Sequence, residues 1–210
     1  MSLYPEAAIQ LCTIMGEAEQ TTAIDGRRLR SERSRTAIIE AAVALMEEGV
    51  LVPTAQQVAQ RAGVGIRSFF RHFEDMGALA EAVNEQLGET WKNLFTGGDR
   101  AGTLDERLVH AVECYADAYE QICNVMLSTA AQRWRYEFLR RNYARALRGL
   151  RHNLNDWLPE LQALPADERE AVDAIASFEM WHRLREHQGL SKEDSIAIIT
   201  KLLRGLIPVL

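Results

Sequence analysis

Residues 54–73 read TAQQVAQRAGVGIRSFFRHF and carry the clearest structural signal in this chain of 210 residues. Thr54 is a suitable N-cap for a short helix, and Gly63 supplies the positive φ with which that helix ends. Ala59 is small where two helices must cross closely, and a second short helix follows over residues 66–72. Two short helices joined by such a turn predict a helix-turn-helix, whose second helix enters the major groove of DNA.

The second short helix has a side that we expect to be buried. Phe69 and Phe73 lie four residues apart and therefore share one face. We expect this face to pack against the apolar residues Ile38, Leu45 and Val58. An ordinary small helical corner would show the same local pattern, so the motif alone leaves both interpretations open.

The other side of the motif carries the candidate DNA contacts. Arg67 has a guanidinium that pairs with the O6 and N7 atoms of guanine, and the Ser68 hydroxyl suits a base or a phosphate. The residues that we expect to contact DNA in this region are Thr54, Gly65, Ile66, Arg67, Ser68, Phe70, Arg71 and His72.

The charge of the chain is uneven, although its total is −6. Residues 1–25 have a net charge of −4, whereas residues 26–80 hold eight arginines against six acids, a net charge of +2. An arginine cluster ahead of the helix-turn-helix neutralises phosphates if it reaches DNA, but it is also typical of a solvated lead-in to a helix. Its candidates for DNA binding are Arg27, Arg28 and Arg30.

Composition argues against several classes of protein. Hydrophobic residues make up 47% of the chain and charged residues 26%, which is typical of a folded protein and not of a disordered one. The sequence has neither an apolar run of about 18 residues nor the basic start of a secretory signal, so we expect a cytoplasmic protein without a membrane segment. Three cysteines without a close pair and five scattered histidines indicate no metal site, no cofactor and no catalytic residues.

The remaining periodicity is helical and predicts an all-α fold. Apolar residues recur at helical spacing, and prolines and glycines separate the segments. Besides the two short helices, we expect helices over residues 31–48, 76–95, 104–120, 122–131, 134–158, 166–187 and 192–207, with another possible over residues 5–17.

Residues 33–79 resemble the DNA-binding domain of the TetR family of transcriptional regulators. The matching positions are Ile38, Ala41, Ala42, Leu45, Gly49, Thr54, Val58, Ala59, Ala62, Gly63, Val64, the run from Phe69 to Phe73, and Leu79. The resemblance implies an N-terminal three-helix DNA-binding domain joined to a helical ligand-binding and dimerisation domain. On this basis we assign residues 26–75 to the first domain and residues 76–210 to the second, with residues 1–25 as an extension of open role.

Three residues depart from the family pattern. The family usually has Tyr where this chain has Phe70, and Lys where it has Met76, so two phosphate contacts would be lost. Gly65 replaces a residue that is commonly Ser or another polar cap. Each missing phosphate contact lowers the salt dependence of DNA binding by about one unit of slope. The cluster at Arg27, Arg28 and Arg30 is a possible replacement for these contacts.

The resemblance also implies a homodimer and a small-molecule effector. Residues 166–187 and 192–207 offer wide apolar faces for a dimer seam, although packing within the chain would explain them as well. The large residues that we expect to line an effector pocket are Trp91, Tyr115, Tyr119, Met126, Trp134, Phe178 and Trp181. A stripe formed by Arg141, Arg145, Arg148 and His152 is either a solvated face or an attraction for an anion.

The sequence thus predicts a regulator that is not an enzyme. In this hypothesis a homodimeric repressor binds a palindromic double-stranded operator, and a small molecule releases it. One alternative is a constitutive DNA-binding protein without an effector, which predicts a filled C-terminal core. Another is a helical ligand-binding protein or enzyme, which predicts titratable groups that converge in a pocket.

Overall fold

The computed structural model describes residues 6–207, without the side chains of residues 6–25, Arg27 and Glu89. Over this range the fold is all-α, as predicted. Its α-helices are α1 (Glu6–Glu47), α2 (Ala55–Arg61), α3 (Ile66–His72), α4 (Met76–Leu94), α5 (Leu104–Gln132), α6 (Glu137–Trp157), α7 (Ala166–Ile175), α8 (Phe178–His182) and α9 (Lys192–Leu206). A 3-10 segment covers Pro159–Ala163, and a π-helical turn covers Arg183–His187.

The chain divides into two compact units. The first unit holds α1 up to Ala44 together with residues 53–79, and the second holds residues 45–52 together with the chain from Ala80 onward. The first unit therefore contains α2 and α3, and the second contains α5 to α9.

Helix α1 joins two segments that we expected to be separate helices, residues 5–17 and residues 31–48. Gly26 lies inside α1 and does not end it. A single glycine in a helix costs about 1 kcal/mol relative to alanine, which a long helix tolerates in the absence of proline. The apolar face expected on residues 5–17 lies outside the described side chains.

The turn between α2 and α3 forms as its residues predict. Gly63 has a φ of +67°, in the left-handed region that favours glycine. The Val64 amide donates a hydrogen bond to the Ala59 carbonyl at 3.0 Å, which closes the end of α2. The core of the first unit includes Ile38, Val58, Phe69, Phe73 and Leu79, all buried.

The second unit is built around α5, which contacts α6, α8 and α9. Helix α5 is continuous where we expected two helices, because no glycine or proline interrupts it near Gln121. Its aromatic residues meet edge to face in the core: the centres of the Tyr115 and Tyr119 rings lie 5.9 Å apart, and those of the Tyr119 and Phe178 rings 5.6 Å apart.

The prediction of a single helix over residues 166–187 is wrong. Helix α7 ends at Ile175, and Ser177 then caps a new helix. The Ser177 hydroxyl donates to the Ala174 carbonyl at 2.7 Å and accepts from the Met180 amide at 3.2 Å. Serine competes for backbone groups in this way and so favours a helix start over a helix interior.

Candidate DNA-binding surface and effector cleft

Helix α3 buries one side and exposes the other. Phe69 is fully buried, whereas Phe70 is 53% exposed and Ile66 is 41% exposed. The Arg67 and Arg71 side chains are exposed as well. The Phe70 ring contacts the buried Phe69 ring edge to face, with the centres 5.2 Å apart, and its other side faces solvent. The exposed parts of these four side chains are available to a partner molecule.

The two arginines of α3 differ in their local contacts. Arg71 Nη2 donates a hydrogen bond to Ser68 Oγ at 3.0 Å, and Ser68 is half-buried. The Ser68 hydroxyl accepts in this bond, so its proton remains available to another acceptor. Among the described residues, Arg67 has no hydrogen bond or ion pair through its side chain, so its guanidinium is open to a ligand.

His72 is half-buried, although we expected it on the exposed side of α3. Its Nε2 atom is buried and has no hydrogen-bond partner within the described part of the chain. Burial lowers the pKa of the His72 imidazole, and the positive charges of Arg71 and Arg35 lower it further. The neutral ring is thereby favoured, and it attracts a phosphate less than a charged one does.

The helix starts in the motif are capped differently. Thr54 Oγ1 accepts from the Gln57 amide at 3.3 Å, and Gln57 Oε1 accepts from the Thr54 amide at 2.9 Å. This reciprocal pair is a capping box, so the Thr54 side chain already serves the fold. Gly65 is the N-cap of α3, and no side chain caps that helix.

The arginine cluster ahead of the motif makes local contacts. The Arg28 guanidinium pairs with the Glu32 carboxylate at 3.0 Å, and the Arg30 Nε atom donates to the Gly26 carbonyl at 3.0 Å. Both arginines are exposed, and the Arg27 side chain lies outside the described residues. An exposed pair between residues four apart contributes little to stability, so Arg28 can exchange Glu32 for a phosphate at small cost.

The second unit contains a cleft of about 820 Å³. Tyr115, Tyr119 and Phe178, three of the residues expected in an effector pocket, line it. Leu150 and Leu154 of α6 add apolar wall. The volume lies within the range of small-molecule sites, roughly 300–1,000 Å³.

The other four residues expected in the pocket do not line this cleft. Trp181 is buried and lines a separate void of about 20 Å³. Trp91 and Met126 pack against the core from partly buried positions. Trp134 is 74% exposed, because α6 begins only at Glu137 and leaves Trp134 in the preceding turn.

Polar residues at one part of the cleft were not predicted from the sequence. Tyr143 donates a hydrogen bond through its hydroxyl to Glu179 Oε1 at 2.5 Å, and the Arg133 guanidinium lies 4.8 Å from the centre of the Tyr143 ring. His182 stacks on Phe178 with the ring centres 5.5 Å apart. These contacts join α5, α6 and α8, so only the tertiary fold brings them together.

The arginine stripe of α6 does not contribute to the cleft. Arg141, Arg145, Arg148 and His152 are exposed, and none of them lines it. This placement favours the interpretation of the stripe as a solvated face.

The cysteines and the metal-binding residue types form no centre in the described residues. Cys114 and Cys123 are half-buried and free, and burial raises the pKa of both thiols. No group of three His, Cys, Asp or Glu side chains there is arranged to hold a metal ion. Over the same part of the chain, every helix is too short or too polar to cross a membrane.

The geometry of α2, Gly63 and α3 defines a protein of the helix-turn-helix class. Residues 38–83 match the family model of the bacterial regulatory proteins of the tetR family. This match makes residues 38–83 similar to the N-terminal domain of that family. No curated protein matches the sequence.

Solved structures share the fold over most of the chain. A TetR-family transcriptional regulator from Rhodococcus sp. is 19% identical, with a TM-score of 0.61 over 83% of this chain and 99% of that one. The transcriptional regulator SCO7518 from Streptomyces coelicolor A3(2) is 20% identical, with a TM-score of 0.57 over 82% and 99%. A TetR regulator from Rhodococcus sp. RHA1 is 17% identical, with a TM-score of 0.54 over 84% and 97%.

Proposed function

We propose that this protein is a cytoplasmic, ligand-responsive repressor that binds a palindromic double-stranded operator as a homodimer. A small molecule in the cleft of the second unit releases it from DNA. The observation that carries the proposal is the division of α3, which buries Phe69 and exposes Ile66, Arg67, Phe70 and Arg71. These exposed groups match the needs of major-groove binding, namely apolar contact with thymine methyls and guanidinium contact with guanine or phosphate.

Helix α9 supports the homodimer. In the two segments expected to form the dimer seam, Phe178, Trp181, Ile199 and Leu203 are buried within their own chain. Leu202 is 41% exposed, and Ile198 and Leu206, four residues before and after it on the same side of α9, are half-buried. An exposed leucine on an otherwise apolar helix face is suited to packing against a second copy.

The cleft supports an effector over constitutive DNA binding. A constitutive binder predicts a filled core in the second unit, and a cleft of about 820 Å³ lined by aromatic rings fits a ligand better. A ligand that prefers one of two conformations of the protein shifts their populations by its difference in affinity. Release follows if the favoured conformation places the two recognition helices at the wrong spacing for the operator.

Selection from a random duplex library with the full-length protein tests the DNA-binding part. We expect enrichment of an inverted repeat whose half-sites lie about one helical turn, 10–10.5 base pairs, apart or a multiple of it. Enrichment of a single, unrepeated half-site would contradict the homodimer. Failure to enrich any sequence would contradict the repressor and favour a ligand-binding protein without an operator.

The substitution Leu202→Glu tests the dimer. We expect light scattering to show a dimer for the wild type and a monomer for the variant, because a carboxylate would be buried at the seam. Operator affinity should then fall by roughly 10²-fold or more, because a monomer binds only one half-site. The dimer binds both half-sites at once, and linkage of two binding modules raises affinity by about this factor. The matched control is Lys201→Glu, an exposed neighbour on α9. A dimeric Leu202→Glu variant would place the seam elsewhere.

A further inference from the structure

Three polar side chains of α5 lie on one side of the helix and bond to a segment far away in the sequence. Asn124, Ser128 and Gln132 are spaced four residues apart, so they are neighbours on the helix surface. Each donates a hydrogen bond to a main-chain carbonyl of residues 47–51, which hold the last residue of α1 and the turn after it. We call these three side chains the α5 ladder.

The first bond of the α5 ladder completes the end of α1. A helix leaves its last carbonyls without partners inside the helix. The turn after α1 satisfies two of them through the amides of Gly49 and Val50, both at 2.9 Å. The Glu47 carbonyl accepts instead from Asn124 Nδ2, at 2.6 Å. The second unit thus supplies a cap that α1 and its turn do not provide for Glu47.

The other two bonds of the α5 ladder converge on one carbonyl. The Leu51 carbonyl accepts from Ser128 Oγ at 2.7 Å and from Gln132 Nε2 at 3.1 Å, which uses both of its lone pairs. Gln132 Nε2 also donates to Ser128 Oγ at 3.0 Å. Ser128 is fully buried and Gln132 is 8% exposed, so little water reaches these bonds. Separation of Leu51 from α5 would leave buried polar groups without partners, and the turn is therefore held to this helix.

The same stretch of α5 also lines the cleft. Leu127, Ala130 and Arg133 contribute to the cleft wall. Ala130 follows Ser128 by two residues, a rotation of about 200° around the helix, so the two side chains point to opposite sides. A molecule in the cleft that shifts this stretch of α5 therefore shifts the α5 ladder with it.

The chain passes from the first unit into the second and back again at residues 45–52. These eight residues belong to the second unit, whereas the chain up to Ala44 and the chain from Pro53 to Leu79 belong to the first. Thr54, the N-cap of α2, follows Leu51 by three residues. A shift of residues 45–52 is therefore passed along the main chain to the rest of α1 on one side and to α2 on the other.

We infer that the α5 ladder couples the cleft to the first unit. Asn124, Ser128 and Gln132 are positioning residues through which occupancy of the cleft changes operator affinity. A ligand that binds better to one of two positions of α5 favours that position, and the buried bonds carry residues 47–51 along with the helix. This inference rests on the proposed function, because it names the residues that regulate the same DNA-binding site.

A substitution that fills the cleft from α5 tests the coupling without a ligand. Ala130→Phe places a ring in the cleft, and Ser128→Ala combined with Gln132→Leu removes both donors to the Leu51 carbonyl. Amide exchange of residues 49–52 and of α2 is measured in the full-length protein without DNA. We expect Ala130→Phe to accelerate this exchange by about threefold or more, and by less than about 1.5-fold once the donors are removed. Equal acceleration with and without the donors, or none in either case, would overturn the coupling.

Two control variants match the test. Thr129→Val removes a hydroxyl at the next position of α5, where it bonds to the Val125 carbonyl at 2.9 Å inside the helix. The effect of Ala130→Phe should persist in full beside Thr129→Val. Ala144→Phe, at an exposed position of α6 outside the cleft, should leave these amides unchanged. If Thr129→Val abolished the effect of Ala130→Phe, a general loosening of α5 would explain the result and the inference would be wrong.

A milder variant covers the case in which the combined one does not fold, as judged by tryptophan emission in urea. Gln132→Leu alone keeps the bond from Ser128 to Leu51. Beside it, the effect of Ala130→Phe on amide exchange should be intermediate between the effects with both donors and with none. An undiminished effect would contradict the role of Gln132 in the coupling.

Operator binding carries the test to DNA. Ala130→Phe should lower affinity for the selected operator by about 5-fold or more, within the usual range of allosteric coupling. In the variant without the two donors to Leu51, the same substitution should change operator affinity by less than about twofold. Losses of the same size in both backgrounds would overturn the coupling.

Failure of this inference can be told apart from failure of the proposed function. A protein that enriches an operator but shows the same effect of Ala130→Phe with and without the donors contradicts only the α5 ladder. A protein in which amide exchange depends on the donors as expected, but which enriches no operator, contradicts only the repressor.

Discussion

The arginines of the two units are used in different ways. In the second unit, several arginines bond to carboxylates on distant segments, as in Arg107 with Glu160 at 2.5 Å and Arg185 with Glu120 at 2.8 Å. In the first unit, the contacts of Arg28 and Arg71 reach only residues three or four positions away, and Arg67 has none among the described residues. Guanidinium groups that hold the second unit together are unavailable to a ligand, whereas those of Arg28, Arg67 and Arg71 remain available to phosphates and bases.

The tryptophans allow the two units to be followed separately. All four, Trp91, Trp134, Trp157 and Trp181, lie in the part of the chain from Ala80 onward. Tryptophan emission therefore reports unfolding of the second unit. Amide hydrogen exchange of α2 and α3 reports the opening of the first unit.

The largest expected effect is the loss of a structural arginine. Arg107 also donates to the Trp157 carbonyl at 2.8 Å, and the Arg107 and Glu160 side chains are 13% and 27% exposed. The substitution Arg107→Ala leaves both acceptors without their donor in a partly buried place. We expect it to lower the free energy of unfolding by about 2–4 kcal/mol, measured from tryptophan emission in urea. The control Arg148→Ala should change it by less than about 0.5 kcal/mol.

Equal destabilisation by Arg107→Ala and Arg148→Ala would break the distinction between structural and solvated arginines. The distinction would also weaken if Arg107→Ala changed operator affinity while the second unit stayed as stable as in the wild type.

The next effect in size concerns DNA. Arg67→Ala should lower affinity for the selected operator by about 5- to 150-fold, corresponding to about 1–3 kcal/mol, because a guanidinium pair with one base is lost. Tryptophan emission in urea and amide exchange should stay unchanged, since Arg67 has no partner among the described residues. The measurement is anisotropy of a labelled operator, beside an unrelated duplex. An equal loss on both duplexes would assign Arg67 to a phosphate.

Much of the first unit could be predicted, because the sequence signals that determine it are local. Thr54, Gly63 and the spacing of Phe69 and Phe73 act over a few residues, and α3 spans the predicted residues 66–72. The half-burial of His72 was missed, because it depends on how the helices of the unit pack.

The cleft of the second unit was predicted less well, because its residues come from several helices. Tyr115, Tyr119 and Phe178 were expected from their size alone, and the same criterion wrongly included Trp134. Tyr143 and Glu179 were missed, since no sequence pattern brings α6 next to α8. The predicted helix boundaries were wrong where the local sequence signal is weak or where tertiary packing determines the boundary. The two cases are the helix start after Ser177 and the continuous helix α5.

A smaller expected effect concerns the turn at Gly63. It tests whether the backbone conformation of this turn determines the structure of the first unit. Gly63→Ala should destabilise the first unit by about 1–2 kcal/mol, because an alanine is strained at a φ of +67°. The control Gly65→Ser lies at the N-cap of α3 with a φ of −71°, and a serine there should stabilise α3 by a few tenths of a kcal/mol. Amide exchange of α2 and α3 is the measurement. A neutral Gly63→Ala would show that packing, not the turn, determines the motif.

The smallest expected effect is a difference between the two units in the pH range over which each loses stability. His72 is the one histidine in the sequence of residues 1–44 and 53–79, and its pKa is lowered in the folded protein by burial and then by Arg71 and Arg35. The unfolded chain therefore binds a proton at a higher pH than the folded one does. The stability of the first unit should be fully present above about pH 6.5 and decrease as the pH falls below it.

The second unit should respond in a lower pH range. The hydrogen bond from Arg107 lowers the pKa of Glu160, so its contribution is present above about pH 4.3 and is lost as the pH falls below that value. Between about pH 6.5 and pH 5, amide exchange of α3, corrected for its intrinsic pH dependence, should accelerate while the tryptophan-monitored stability changes less. His72→Gln removes the titrating group and should abolish that acceleration. An acceleration that persists in His72→Gln would assign it to a group other than this imidazole.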